Sequence, residues 1–165
     1  MGSKKITKGL FLFYLAGLTW IILFKMQISL NSLPEIRNIN LIPFGQPAIV
    51  NGIIDIDEML GNLLAFVPFG IFTGMLLEKE TFLVKTAPIF LTSLAFEVVQ
   101  YIFAIGASDI TDLLMNTAGG MIGTGLFAGL SKLFKTKTVQ IFNSICLAAA
   151  VFMSFFIGII LIVNL

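Results

Sequence analysis

Glu97 is the residue of this chain that is best suited to do chemistry. It is the only formal charge between Lys85 and Asp109, in a stretch that is otherwise strongly apolar. A carboxylate inside a bilayer costs roughly 2.5–3.5 kcal/mol on insertion scales, so such a residue is expected to face a partner or a water-filled cavity. Ser93 and Gln100, at i−4 and i+3, would share its helical face. The pattern predicts a functional site around Glu97, and its structural alternative is a hydrogen-bonded clamp between helices.

A second group of polar residues follows a few positions further along the chain. Asp109, Asp112 and Asn116 stand at i, i+3 and i+7, on one face of the first two turns of a predicted helix. Asp109 or Thr111 can cap that helix, and acidic side chains near a helix start are stabilised by its dipole. Capping accounts for one of the two aspartates and leaves Asn116 unexplained.

The side chains offer little for metal binding or nucleophilic catalysis. The chain has no histidine, which removes the commonest neutral-pH proton shuttle and metal ligand. Its single cysteine, Cys146, lies in the last apolar run, so no disulfide framework is expected. Glu97, Asp109 and Asp112 could offer oxygen ligands to Mg²⁺ or Ca²⁺, but their spacing matches no loop motif. We predict no metal, no other cofactor and, because the lysines are spread over three segments, no nucleic-acid partner.

These residues must be positioned by helices that cross a membrane. With 58% apolar and 12% charged residues, this chain of 165 residues has too little polar surface to clothe a soluble domain. Its apolar runs do not alternate as transmembrane β-strands would, and as helices they are long enough to span a hydrocarbon core of about 30 Å. We predict an all-α polytopic bundle, a single membrane domain over residues 1–165. Its five transmembrane helices are expected at about residues 9–26, 59–77, 86–105, 110–130 and 139–163.

The basic residues predict the orientation of this bundle. Placing the N-terminus inside puts eight lysines on the cytoplasmic side and leaves only Lys25 and Arg37 outside. Short cytoplasmic loops of membrane proteins carry such an excess of lysine and arginine. We therefore expect a multi-pass protein of the bacterial plasma membrane, with a cytoplasmic N-terminus and an extracellular C-terminus.

The connection from about residue 27 to 58 is extracellular on this topology. It contains Pro34, Pro43 and Pro47, yet it is too apolar for a plain linker. We expect a surface-lying or re-entrant segment with a short helix. Such backbone is tolerated at membrane depth only where protein or water satisfies its polar groups.

Prolines and glycines predict how the helices pack. Pro68 cannot donate to the carbonyl of Leu64, so a kink is expected near it. Small residues spaced four apart allow close backbone contact, and we expect it at the pairs Gly119/Gly123 and Gly125/Gly129. The first and fifth helices carry no matching polar face and are predicted to be lipid-facing scaffold. The structural residues of the site region are predicted to be Pro43, Pro68, Gly70, Gly119, Gly120 and Gly123.

The polar residues of the central helices all fall near the outer boundary of the membrane. By the helical rise, five of them lie within about 12 Å of it: Asn62, Glu97, Gln100, Asp112 and Asn116. We predict an outward-facing polar pocket that is acidic at its mouth. Arg37 could pair with one of these acids or bind an anionic headgroup, whereas Lys25, the rival cation, could simply extend to the membrane surface.

Four segments of this region resemble the successive motifs of the VanZ-like family. They are Asn40 to Phe44 (N-L-I-P-F), Asn62 to Gly70 (N-L-L-A-F-V-P-F-G), Glu97 to Gln100 (E-V-V-Q) and Asp109 to Gly123 (D-I-T-D-L-L-M-N-T-A-G-G-M-I-G). Each motif alone is weak, but four in order over about residues 37–130 are specific. The resemblance implies a small polytopic bacterial membrane protein, in a family whose founding member is associated with resistance to the lipoglycopeptide teicoplanin.

The resemblance also implies which residues are characteristic, although it brings no settled biochemical mechanism. By motif they are Arg37, Asn40, Asn62, Pro68, Glu97, Gln100, Asp109, Asp112, Asn116 and Gly119. Many relatives have an arginine shortly before the D-x-x-D motif, whereas Gly106, Ala107 and Ser108 stand there in this chain. This departure places more weight on Arg37 as the guanidinium of the site.

Three functions fit these residues. The first, which we favour, is a binding protein without enzymatic activity, whose pocket holds an envelope lipid headgroup or the glycopeptide and contributes to teicoplanin resistance. The second is an intramembrane enzyme acting on a lipid-linked or polyprenyl-phosphate envelope precursor, with Glu97 as general acid or base and Arg37 as anion clamp. The third is a small transporter, which the lack of an apparent inverted repeat disfavours. Membrane lipids are expected partners in each case, and the residues indicate no particular oligomeric state.

Overall fold

The chain folds mainly into long apolar helices. The computed structural model describes residues 4–24, 36–44, 49–50, 53–54 and 56–163. It is 86% helical. Four helical runs in these residues are long and apolar enough to cross a membrane, namely Lys4–Phe24, Ile56–Leu76, Phe82–Phe103 and Ile110–Ile159. The predicted class, a helical membrane protein, is confirmed at this level.

Five α-helices make up these four runs in the described part of the chain. They are α1 (Lys4–Phe24), α2 (Ile56–Leu76), α3 (Phe82–Phe103), α4 (Ile110–Phe134) and α5 (Thr138–Val163). Helix α1 begins at Lys4 rather than near residue 9, because lysines are good helix formers even though they lie outside the apolar run. Helix α3 begins at Phe82 rather than near residue 86, because the Thr81 side chain caps it by accepting from the Val84 N–H.

Helices α4 and α5 form an antiparallel pair, although the helical run around them is nearly continuous. The ring centroids of Phe127 and Phe142 are 6.0 Å apart, whereas one straight helix would separate these residues by about 22 Å. The reversal occurs at a 3₁₀ turn, Lys135–Lys137, where Lys135 adopts a φ of 49°. The run therefore contains two helices of opposite direction.

Successive helices alternate in direction, and this gives the bundle two chemically different ends. Phe11 contacts Phe69 and Tyr14 contacts Ala65, so α1 and α2 are antiparallel. Ile89 lies against Gly120 and Ser93 bonds Asn116, so α3 and α4 are antiparallel as well. One end, here called the strand end, holds the starts of α2 and α4 and four short strands. The other, the lysine end, holds the start of α1 and the α2–α3 and α4–α5 turns. The lysines that the structure describes all lie there: Lys4, Lys5, Lys8, Lys79, Lys85, Lys132, Lys135 and Lys137.

Helices α2 and α4 run parallel to each other in backbone contact. A Cβ atom on Gly119 would overlap the carbonyl oxygen of Leu63, and one on Gly123 would overlap that of Val67. The same atom on Gly70 would overlap the Gly120 carbonyl. Only a residue without a side chain permits this approach.

The second predicted glycine pair has no such role. Gly125 and Gly129 have nothing within 4 Å of a built Cβ, so the expectation of close packing there is wrong. The helical period explains the difference, because Gly125 is two residues from Gly123 and therefore lies on another face of α4. Helix α2 continues through Pro68, and the Tyr14 hydroxyl donates to the Ala65 carbonyl in the same turn at 2.7 Å.

Helix α1 belongs to the core, which corrects its expected role as lipid-facing scaffold. Leu18 and Ile22 pack with Phe66 in one buried cluster. Near the lysine end, Thr7 and Asn143 exchange hydrogen bonds of 3.0 and 3.1 Å between α1 and α5, and both side chains are buried. Most of the other described side chains of α5 are exposed on the outside of the bundle, as expected for a helix that faces lipid.

Short strands at the strand end correct the all-α prediction. Strand β1 (Ile36–Asn40) pairs in parallel with β4 (Ile105–Asp109), and β2 (Ile49–Val50) pairs in antiparallel with β3 (Ile53–Ile54). The short helix expected between α1 and α2 is not found in residues 36–44, 49–50 or 53–54, the described parts of that connection. The β1–β4 pair instead fixes this connection against the residues that join α3 to α4.

Candidate functional site

Glu97 is held by the backbone of the neighbouring strand. Its Oε2 accepts a hydrogen bond from the Asp109 N–H at 2.8 Å, and the Ser108 hydroxyl donates to the Glu97 carbonyl at 3.1 Å. Helix α3 ends at Phe103, and the left-handed φ of 54° at its C-cap, Ala104, turns the chain into β4. Strand β4 therefore lies beside the last turns of α3, and it fixes the orientation of a carboxylate that is only 5% exposed.

Asp109 links the strand pair to α4. Its Oδ1 accepts from the Thr111 N–H at 2.7 Å, so Asp109 is the N-cap, one of the two capping residues predicted. The same oxygen accepts from the Asn40 side-chain amide at 3.0 Å. Asn40 is the last residue of β1 and is in register with Asp109. The Asn40 and Asp109 motifs, 69 positions apart, are therefore joined directly.

Residues 40–44 form a strap across the first turn of α4. The Asn40 side chain bonds both the N–H and the carbonyl of Ile42, each at 3.1 Å, and the Phe44 N–H donates to the Thr111 hydroxyl at 3.0 Å. Leu41, Ile42 and Phe44 expose their side chains. This role of Thr111 was not predicted from the sequence. The feature that could have indicated it is the position of Thr111 two residues after the capping aspartate.

Gln100 joins α3 to the end of α1. Its Nε2 donates to the Ile22 carbonyl at 3.2 Å, and Ile22 is in the last turn of α1, where carbonyls lack intrahelical partners. A Cβ on Gly106 would lie 3.3 Å from the same Nε2. A larger side chain at position 106 would therefore contact Gln100.

Asn116 and Ser93 join α3 to α4 one turn closer to the middle of the bundle. The Asn116 amide nitrogen donates to the Ser93 hydroxyl at 2.9 Å, and both side chains are fully buried. With the Glu97 and Gln100 contacts, this makes one polar face of α3 bond to three neighbouring elements. The predicted interhelical clamp is present, but it uses only part of the hydrogen-bonding capacity of these groups.

Three buried oxygen atoms, on this face and on its partner Asn116, have no hydrogen-bond partner among the residues that the structure describes. They are Glu97 Oε1, Gln100 Oε1 and Asn116 Oδ1, on side chains that are 5%, 4% and 0% exposed. Rotating the Gln100 amide would not help, because its oxygen would then face the Ile22 carbonyl. A buried acceptor left unpaired costs about 1–3 kcal/mol. The site thus has unused capacity to accept hydrogen bonds.

The other predicted site residues lie around this face. Asp112, partly buried in the first turn of α4, and Asp109 are close enough for their charges to repel Glu97. Asn62 is partly buried on α2, next to the Leu63 carbonyl that contacts Gly119. Arg37 is in register with Gly106 through its backbone, and its side chain is outside the described part of the structure. Pro43 lies in the exposed turn of the strap.

A metal centre at the acidic residues is not indicated in the described part of the chain. No group of three or more Asp, Glu, Cys or His side chains among the described residues is arranged to hold a metal ion. The variant considered from sequence, with Glu97, Asp109 and Asp112 as common ligands, is therefore not supported.

A bundle of long apolar helices with a buried polar cluster under a strand pair is consistent with a membrane protein, and comparisons identify its family. The sequence model of the family described as VanZ/LLP1 matches residues 11–135, from α1 to the end of α4. Protein VanZ of Enterococcus faecium is 40% identical over 131 residues, which cover 78% of this chain and 77% of that protein. No solved structure matches. The chain belongs to the VanZ family.

Proposed function

We propose that this VanZ-family protein crosses the bacterial plasma membrane five times, with a cytoplasmic N-terminus and an extracellular C-terminus. The alternating helix directions and the reversal between α4 and α5 support five crossings. The lysines gathered at one end support the orientation, because lysine-rich ends remain on the cytoplasmic side. On this topology the strand end, with Glu97 and its neighbours beneath it, faces the outside.

In this orientation the polar face of α3 is a binding site for the headgroup of an envelope lipid or for a glycopeptide, and its occupation contributes to teicoplanin resistance. The observation that carries the proposal is the set of three unpartnered acceptors, Glu97 Oε1, Gln100 Oε1 and Asn116 Oδ1. A ligand that donates hydrogen bonds to them removes the cost of leaving them unpaired in a low-dielectric environment. The link to teicoplanin comes from the family to which the chain belongs.

Arg37 completes this site in the proposal. Its backbone is fixed opposite Gly106, and an arginine can hold a carboxylate or phosphate through two parallel hydrogen bonds. A headgroup that presents both donors and an anionic oxygen would therefore engage the acceptors of α3 and the guanidinium together.

The proposal is tested by teicoplanin susceptibility in a susceptible host that expresses matched membrane amounts of variants. Glu97→Gln removes the charge but keeps an oxygen that can accept from the Asp109 N–H. Glu78→Gln is the control, because Glu78 is exposed at the lysine end. We expect Glu97→Gln and Arg37→Ala to lower the tolerated concentration and Glu78→Gln to leave it unchanged. Tolerance that is equal in all four proteins would contradict the proposal.

A second candidate, an intramembrane enzyme, is favoured by the way in which Glu97 is oriented. The Asp109 N–H holds Oε2 and leaves Oε1 unpartnered, as for a carboxylate that transfers a proton to or from a substrate. The substrate class would be a lipid-linked or polyprenyl-phosphate envelope precursor. Lipid-linked intermediates extracted from the same strains separate the two candidates. A profile that changes with wild type but not with Glu97→Gln indicates the enzyme, and an unchanged profile with altered tolerance indicates binding.

A further inference from the structure

The atoms of this site that lack a described partner are all acceptors, and this restricts what can bind there. Gln100 Nε2 donates to the Ile22 carbonyl, and Asn116 Nδ2 donates to the Ser93 hydroxyl. Each amide nitrogen keeps a second N–H, but the atoms left with no partner among the described residues are the two amide oxygens and Glu97 Oε1. A ligand at this face must therefore bring hydrogen-bond donors, and a group that only accepts, such as a bare phosphate, cannot satisfy it.

The charges of the site restrict the ligand further. The negative charges of Asp109 and Asp112 repel a negative charge on Glu97. The basic residues whose side chains the structure describes all lie at the lysine end, far along the bundle from this face. A positively charged donor is therefore favoured over a neutral hydroxyl, because its attraction to the acidic residues adds to its hydrogen bonds.

The number of acceptors matches one common group. A primary ammonium carries three N–H donors and no acceptor, and the face of α3 and its Asn116 partner provide three unpartnered oxygens. Ser93, to which Asn116 donates, is about 10 Å from Gln100 along the helix, so the side chains that carry the three oxygens lie along one short section of α3.

We infer that the site at Glu97 takes the primary ammonium of its ligand. This inference rests on the binding function proposed above and names the chemistry of the group that is bound. Two sources could supply the ammonium, an aminolipid headgroup such as that of phosphatidylethanolamine and a free amine of the glycopeptide.

The test is a binding titration on the full-length protein in a non-ionic detergent. Binding is measured as a change in the protein's unfolding temperature. The probes are short-chain phosphatidylethanolamine, its N-acetylated form, which has lost the charge, and short-chain phosphatidylcholine, which keeps the charge but has no N–H donor. We expect a saturable rise in unfolding temperature with the first probe only. Glu97→Gln should weaken that binding about ten- to a hundredfold, and Glu78→Gln should not.

A parallel titration distinguishes the sources. Teicoplanin and teicoplanin with acetylated amines replace the lipids, under the same conditions. If the aminolipid gives the Glu97-dependent shift, the ammonium is that of a lipid. If only unmodified teicoplanin gives it, the ammonium is that of the antibiotic. Both results support the inference, and the comparison of probes on wild type remains decisive even if Glu97→Gln does not fold.

The results that overturn the inference differ from those that overturn the proposed function. Equal shifts from the amine and its acetylated form would show that the site does not recognise an ammonium, while susceptibility could still depend on Glu97. Arg37 of the chain itself is the rival donor. Suppose that Glu97→Gln changes the unfolding temperature of the wild-type protein but not that of the Arg37→Gln variant, and that no probe binds. The acceptors are then satisfied by Arg37 itself, and binding of an ammonium is excluded.

Discussion

The close contact between α2 and α4 makes a prediction that can be measured on the purified protein. Gly119→Ala adds one methyl group at a point where a Cβ would overlap the Leu63 carbonyl oxygen. Gly125→Ala adds the same group on the same helix, in a position with nothing within 4 Å. Comparing these two variants measures the cost of packing alone, because the chemical change and the helix are the same in both.

The expected magnitude follows from this geometry. Forcing a methylene-sized group into a packed interface typically costs 1–3 kcal/mol, since neighbours must leave their preferred positions. At Gly119 the neighbour is backbone, which cannot rotate away as a flexible side chain would. Alanine also gains about 0.8–1.0 kcal/mol over glycine in a helix, but this term is common to both variants and cancels. We therefore expect Gly119→Ala to unfold with a free energy about 1–3 kcal/mol lower than Gly125→Ala.

Unfolding by titration of a denaturing detergent into mixed micelles provides the assay. Far-UV circular dichroism follows helix content, and the fluorescence of Trp20, the only tryptophan, follows the packing of α1. Equal unfolding free energies for Gly119→Ala and Gly125→Ala would refute the reasoning, because a backbone contact at Gly119 cannot accept a methyl group without cost.

Two other predictions concern the α1–α5 contact and the orientation of the bundle. A double-mutant cycle with Thr7→Val and Asn143→Leu tests the first contact. Each single change leaves one buried polar group without its partner, whereas the double change removes both groups, so we expect a coupling of about 0.6–1.7 kcal/mol in unfolding free energy. A coupling near zero would mean that the reciprocal hydrogen bonds do not stabilise the protein. Orientation is tested with two cysteine variants, Leu41→Cys in the exposed strap and Lys79→Cys in the α2–α3 turn, both in a Cys146→Ser background. A membrane-impermeant maleimide applied to intact cells should label the first variant but not the second. The opposite labelling would show that the proposed topology is inverted.

The long helices could be predicted from the sequence because hydropathy and helix length are local properties. The strand pair could not. Residues 105–109 (I-G-A-S-D) neither alternate in polarity nor carry a hairpin signal, and they form a strand only because β1, far away in sequence, pairs with them. Tertiary pairing determines the conformation of such short segments more than propensity does.

The site could be predicted in part. The spacing of Ser93, Glu97 and Gln100 indicated one polar face on α3, and the structure shows all three bonded from that face. The sequence did not indicate what each group contacts. The partners are the Asp109 N–H and the Ile22 carbonyl, backbone groups that are present in every residue and so leave no distinctive side chain to recognise.

The central claim is that the free oxygen of Glu97 receives its hydrogen bond from a ligand. An electron-density map of the protein crystallised from lipid, and never stripped of its own membrane components, tests this most directly. We expect non-protein density about 2.7–3.2 Å from Glu97 Oε1, in contact with Gln100 or Asn116 as well. A donor of the chain itself at that distance, with no other density at this face, would contradict it.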